Sequence, residues 1–218
     1  MSSAAGVQTT AAAPAHEFSS HAVALQTIAH ELRQPLSAIE SIAYYLNLVL
    51  PREDHRAREQ ASRLQHLIEQ SNWILTCGLQ LVNVAPLAPE PVDLEELITQ
   101  TGAVRSGHRG PRLELELAGN LPLVHLDPGR GRALIENLMS LFECVSQDRP
   151  FCLATSHTQE GVCLTFTTAV IGHRSEASLG PGCALSLASA RQVVEAHGGT
   201  CNLEVDPASG IVLKVSLR

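Results

Sequence analysis

The chain has 218 residues, 44% of them hydrophobic and 17% charged, a length that suits one or two domains at roughly 150 residues each. Fifteen Lys and Arg against 22 Asp and Glu give a net charge of −7 with His neutral, which excludes the basic footprint of a general nucleic-acid binder. No apolar run reaches the ~18 residues of a membrane span, and the opening MSSAAGVQTTAAAPA has no basic segment followed by an apolar core, so a cytoplasmic protein is expected.

Residues 1–15, rich in Ala, Ser, Thr and Gly, carry no hydrophobic period and are expected to form a disordered tail. Over residues 16–84 the period is helical. Leu25, Ile28, Leu32, Pro35, Ile39, Ile42, Leu46 and Val49 alternate in steps of three and four, the seam of a coiled coil. Pro51 and Arg52-Glu53-Asp54 interrupt it. A second stripe follows at Leu64, Leu67, Ile68, Ile74, Leu75, Leu81 and Val82, continued by the small residues Ala57, Ala61, Ser71 and Gly78. Two long helices with a short connection predict an antiparallel hairpin. One hairpin cannot cover both of its apolar faces, so pairing of two copies into a four-helix bundle is expected, making the protein a homodimer.

Residues 85–92, APLAPEPV, hold three prolines and read as a linker. Residues 93–218 change to mixed helix and strand. Asp93 is expected to cap a helix opening Leu-Glu-Glu-Leu-Ile. Arg112-Leu-Glu-Leu-Glu-Leu alternates strictly, predicting a half-buried strand with Leu113, Leu115 and Leu117 on one face. Asp127-Pro128 starts a helix running to about Val145. Residues 151–156 and 162–168 read as strands. A helix from Gly182 to His197 stops at Gly198-Gly199, and residues 201–205 and 211–217 close the sheet as a hairpin. The fold class is α+β: a helical hairpin, then a sheet with helices on one face.

Six cysteines, at 77, 144, 152, 163, 183 and 201, form no CxxC pair, and ten histidines form no HxxxH or HExxH pair. No metal site is expected, and the cysteines read as reduced buried thiols. The segment that carries chemistry is Ala29-His30-Glu31-Leu32-Arg33-Gln34-Pro35-Leu36-Ser37-Ala38-Ile39. Ile28 and Leu32 are successive seam positions, so His30 between them falls on the outer face. A neutral imidazole is a competent nucleophile near pH 7. Glu31 is placed beside it to orient the ring and accept its proton, and Gln34 is its i+4 neighbour. Pro35 removes a backbone hydrogen bond just past the site. His66 lies at another level of the hairpin, and His125 and His197 read as structural.

This segment resembles the H-box of two-component histidine kinases, in their dimerisation and phosphotransfer domain. The resemblance implies that His30 is the phosphoacceptor, that Gln34 holds the place from which the family directs water at a phosphorylated partner, and that a response-regulator receiver docks around His30, Arg33 and Ser37. Residues 92–217 resemble the Bergerat-type (GHKL) ATP-binding domain of the same kinases. Element order agrees, and the helix ending Glu195-Ala-His-Gly-Gly199 before a last hairpin is the clearest match.

Against that pattern the nucleotide residues are degraded. The N-box reads Asn137-Leu-Met-Ser-Leu141-Phe142, with Leu141 where the family's Mg²⁺-binding Asn stands, and Leu supplies no oxygen ligand. The Asp-x-Gly-x-Gly box reads Thr168-Ala-Val170-Ile-Gly172. The phosphate loop reads Gly182-Cys-Ala184-Leu-Ser186-Leu, where Ala184 and Ser186 resist the conformations that glycine allows. The intervening HRSEASLGP is short for a nucleotide lid. Asp127, Glu136 and Asn137 remain as polar groups. Asn137, Thr168, Gly172, Gly182, Ala184 and Ser186 are therefore expected to mark a non-functional site whose cavity Leu141 and Phe142 fill, and no cofactor is expected. The leading expectation is histidine phosphotransfer through His30 without ATP. The absence of sensor, membrane and receiver segments suits a relay. The alternatives are an ATP–Mg²⁺-dependent kinase core with a divergent site, and a non-catalytic dimeric scaffold that binds a regulator.

Overall fold

The computed structural model describes residues 15–82, 86–105, 112–146, 149–159, 161–169, 175–206 and 210–218. Two long helices lead: α1, Ala15–Val49, and α2, His55–Val82. Apart from Ala15, which opens α1, the expected tail lies outside the described residues. Pro35 sits inside α1 without ending it. The turn between the helices is fixed locally: the Asp54 carboxylate accepts from the Ala57 N–H at 3.0 Å, the Arg58 guanidinium donates to the Leu50 carbonyl, and Asn47 donates to Gln65 at 2.7 Å. Ala29, Ala43 and Ala61 are buried, whereas Ile28, Leu32, Ile39 and Ile42 on the expected seam are exposed in the single chain. Small residues thus occupy the covered positions, and a row of large aliphatics is left open.

By compactness the chain divides inside α2, into Met1–Gln65 and His66–Arg218. In the second unit, β1 (Glu90–Val92) leads into α3 (Leu94–Arg105), followed by β2 (Leu113–Glu116), β3 (Val124–Leu126), α4 (Pro128–Val145), β4 (Phe151–Thr158), β5 (Gly161–Thr168), a short 3-10 helix (Glu176–Leu179), α5 (Pro181–Ala196), β6 (Thr200–Asp206) and β7 (Gly210–Leu217). β1 pairs antiparallel with β3 as a two-stranded ribbon; the main sheet runs β2-β4-β5-β7-β6, parallel only at β2–β4.

Three helix ends follow from local chemistry. Asp93 accepts from the N–H groups of Glu95 and Glu96, and Asp127 accepts from that of Arg130, each satisfying donors that the first turn cannot. Pro128 begins α4, where its missing N–H costs nothing. Gly198, at φ 71°, takes the left-handed turn that ends α5. His197 then ties two elements: its Nε2 accepts from the Asp127 N–H and its Nδ1 donates to the Val193 carbonyl.

The core lies between the sheet and the helices. Phe142 packs with Phe166 and Phe151, ring centroids 5.2 and 6.0 Å apart, among Ile98, Leu138, Leu164 and Leu213. Two expectations need correction. The last three residues of the expected linker are β1: Val92 pairs with Val124, and Pro91 is tolerated because the ribbon has only edge strands. β2 is more exposed than its alternation implies, since it is an edge strand and Leu115 and Leu117 stay open to solvent. No helix among the described residues is long and apolar enough to cross a membrane.

Candidate functional site

On α1, His30 and Gln34 are both exposed and one turn apart. The Gln34 side-chain amide lies 3.4 Å from His30 Nε2. An amide N–H donating there leaves the ring proton on Nδ1 and the lone pair on Nε2. Glu31 is exposed and makes no hydrogen bond among the described residues, so it is Gln34, and not Glu31, that meets the ring: adjacent helical residues do not face one another. Ser37 continues the exposed face at i+7, its carbonyl accepting from Ser41. Arg33 is half-buried and engaged by other groups.

The other candidate residues part ways. Gly172 lies outside the described residues. Thr168 is buried at the end of β5, its hydroxyl unpartnered among them. Ala184 is exposed on α5. Asn137, Ser186 and Gly182 come together where α4 and α5 meet the second half of α2. Asn137 Oδ1 accepts from the Trp73 indole N–H at 3.0 Å, from the Cys77 thiol at 3.0 Å and from the Ser186 hydroxyl, while its Nδ2 donates to the Ser186 carbonyl. A Cβ on Gly182 would sit 3.3 Å from Ile74 and 3.4 Å from Trp73. Ser189 donates to Gln80, and Gln192 donates to the Leu81 carbonyl.

Leu141, one turn past Asn137, is buried in the core, and Phe142 packs against Phe151 and Phe166 of the sheet. Between α2 and α4 lies a cleft of about 210 Å³ lined by Trp73, Cys77, Gln80, Glu136, Asn137 and Ser140. Glu136 and Ser140 each hold other contacts. The short segment before α5 is fastened: Arg191 forks onto Glu176 with two 3.0 Å bonds, which raise the Arg191 pKa.

Sequence reasoning missed Trp73 and Cys77. It assigned this part of α2, with Gly78, to the bundle, but Gly78 faces Leu185 of α5. The available signal was the tryptophan itself, the only one in the chain, whose N–H needs a buried partner. No group of three or more His, Cys, Asp or Glu side chains suited to a metal ion occurs among the described residues.

No family model matches the chain. Sensor histidine kinase ZraS of Escherichia coli K12 is 27% identical over 197 residues, covering 84% of this chain and 42% of that protein. ZraS of Klebsiella oxytoca is 27% identical over 198 residues, covering 84% and 43%. The chain thus spans about two fifths of the length of these curated relatives. Full-length ShkA, solved in complex with AMPPNP, superposes with a TM-score of 0.59 at 22% identity, over 88% of this chain and 45% of that one. Acinetobacter baumannii histidine kinase AdeS gives 0.54 at 16%, over 86% and 96%, and the catalytic domain of histidine kinase ThkA gives 0.52 at 16%, over 60% and 95%.

The architecture is that of histidine kinase catalytic structures, an α+β fold behind an N-terminal helical hairpin. The likenesses are thus to two-component histidine kinase cores, and what the solved structures share with this chain is the fold.

Proposed function

We propose that this chain is a histidine phosphotransfer protein that exchanges a phosphoryl group between His30 and the aspartate of a response-regulator receiver, without ATP-dependent autophosphorylation. The observation that carries this reading is the contrast between an exposed His30, with Gln34 on its Nε2, and an α2–α4–α5 junction whose polar groups are already satisfied within the chain. Nε2 attacks the phosphorus of the aspartyl phosphate, the P–O bond to aspartate breaks, and aspartate leaves as a carboxylate. The Nδ1 proton passes to Glu31 once its exposed carboxylate rotates toward the ring, a contact it does not make in the resting helix. Arg33 and Ser37 flank the docking surface. Residues 16–84 serve as the dimerisation and phosphotransfer hairpin, two copies pairing through the open row at Ile28, Leu32, Ile39 and Ile42, and residues 93–218 as the ATPase-like domain.

The residues at the N-box and phosphate loop do not fit ATP–Mg²⁺. Asn137 and Ser186 bond one another and α2, Leu141 offers no oxygen, and Gly182 lies against Ile74 and Trp73. The second reading, an ATP-dependent kinase core, is favoured by the likeness to ZraS. Two measurements separate them. Label from a phosphorylated receiver is expected on the wild-type chain, acid-labile and absent from His30→Gln. ATP with Mg²⁺ is expected to leave the melting temperature unchanged; a saturable rise below millimolar ATP favours the kinase reading, because a ligand that binds the native state stabilises it.

A further inference from the structure

Three cysteines far apart in sequence meet on three helices: Cys77 on α2, Cys144 in the last turn of α4 and Cys183 in the first turn of α5. The Cys183 thiol donates to Cys144 Sγ at 3.9 Å, and the Gln70 amide approaches the same sulfur at 4.0 Å. Cys144 is half-buried, whereas Cys183 is only 2% exposed. Cys77 points elsewhere, its thiol on Asn137 Oδ1.

We propose that Cys144 and Cys183 form a hydroperoxide-reactive dithiol, with Cys144 as the attacking sulfur and Cys183 as the resolving one, that closes to a disulfide linking α4 to α5. The sulfurs need about 2 Å of approach to reach the ~2.05 Å of an S–S bond, a distance that rotation about two χ1 angles shares. Their chemistry is already divided. The hydrogen bond from the Cys183 thiol holds the Cys144 pKa below the ordinary thiol range, outweighing burial, and the same bond, with burial, raises that of Cys183. Burial pushes Cys77 up to about 11, which leaves it a protonated bystander.

The steps balance. The Cys144 thiolate attacks one peroxide oxygen, the O–O bond breaks, hydroxide leaves and a sulfenic acid forms. The Cys183 sulfur then attacks Cys144 Sγ; its proton and the sulfenic hydroxyl leave as water. Two thiols are oxidised and one hydroperoxide is reduced. The cross-link fixes the α4–α5 surface on which Trp73, Ile74 and Gln80 of α2 pack.

The test treats the intact native chain with stoichiometric hydrogen peroxide, then alkylates it under denaturing conditions. The expected product has lost two hydrogens, takes up two fewer alkyl groups than the reduced chain, and yields a Cys144–Cys183 cross-linked peptide. Cys183→Ser is expected to stop at a sulfenic acid on Cys144 that dimedone traps, and Cys144→Ser to react more than tenfold more slowly and form no cross-link. Retention of all alkylatable thiols, oxidation of Cys144 with Cys183 left free, or a cross-link through Cys77 would each overturn the proposal.

Discussion

The exposed face of α1 and the α2–α4–α5 junction carry residues drawn from the same resemblance, in opposite physical states. His30 and Gln34 are open to solvent and meet one another across one helical turn. Asn137 and Ser186 are buried and tied to one another, with Trp73 and Cys77 also donating to Asn137. A polar side chain serves an outside ligand only while its hydrogen-bonding capacity is free. A buried one whose capacity is met inside the chain is structural, and vacating it leaves unsatisfied partners.

The largest expected effect breaks the comparison on the α1 side: His30→Gln abolishes transfer from a phospho-receiver, measured by label on the chain, without changing the melting temperature. Next, Glu31→Ala slows transfer by roughly 10²–10⁴-fold if it takes the Nδ1 proton, whereas Gln34→Ala, which removes only the Nε2 contact, slows it by about tenfold, or ~1.4 kcal/mol. Rapid-quench transfer assays order the two, and the reverse order would make Gln34 the residue that the chemistry needs most.

On the junction side Trp73→Ala removes a half-buried ring and one donor to Asn137. It is expected to destabilise by about 2–3 kcal/mol, below the ~3–5 of a fully buried aromatic, read from denaturant unfolding.

The smallest effect is at Asp127, whose pKa is lowered by N–H bonds from Arg130 and Ala88. With the folded pKa depressed, the cap contributes fully above the ordinary carboxylate range and is lost as pH falls through the folded value. Asp127→Ala is expected to cost about 1 kcal/mol at neutral pH. Melting curves of the two chains should converge at acid pH.

What was legible in the sequence was local. Asp93 and Asp127 announce helix starts because a cap acts within three residues, and the helix and strand periods place α4, β4, β5 and α5 to within a few positions. His30 is exposed on α1, as its helical register allows. The junction was not legible. Trp73 and Asn137 are 64 residues apart, and Asn137 and Ser186 are 49 apart. The spacing that suits Ile74 and Gly78 to a bundle suits them equally to α5, since a helical stripe records that a face is covered and not by what. For the same reason the burial of Phe142 against the sheet was not legible.

The indole of Trp73 also has an optical consequence. As the single tryptophan, half-buried and hydrogen-bonded to Asn137, it makes the intrinsic emission of the whole chain a report on one place, the seat of α2 on α4 and α5. Any event that lifts that helix wets the ring and shifts its fluorescence to the red, so the docking of α2 can be followed in real time on unlabelled protein.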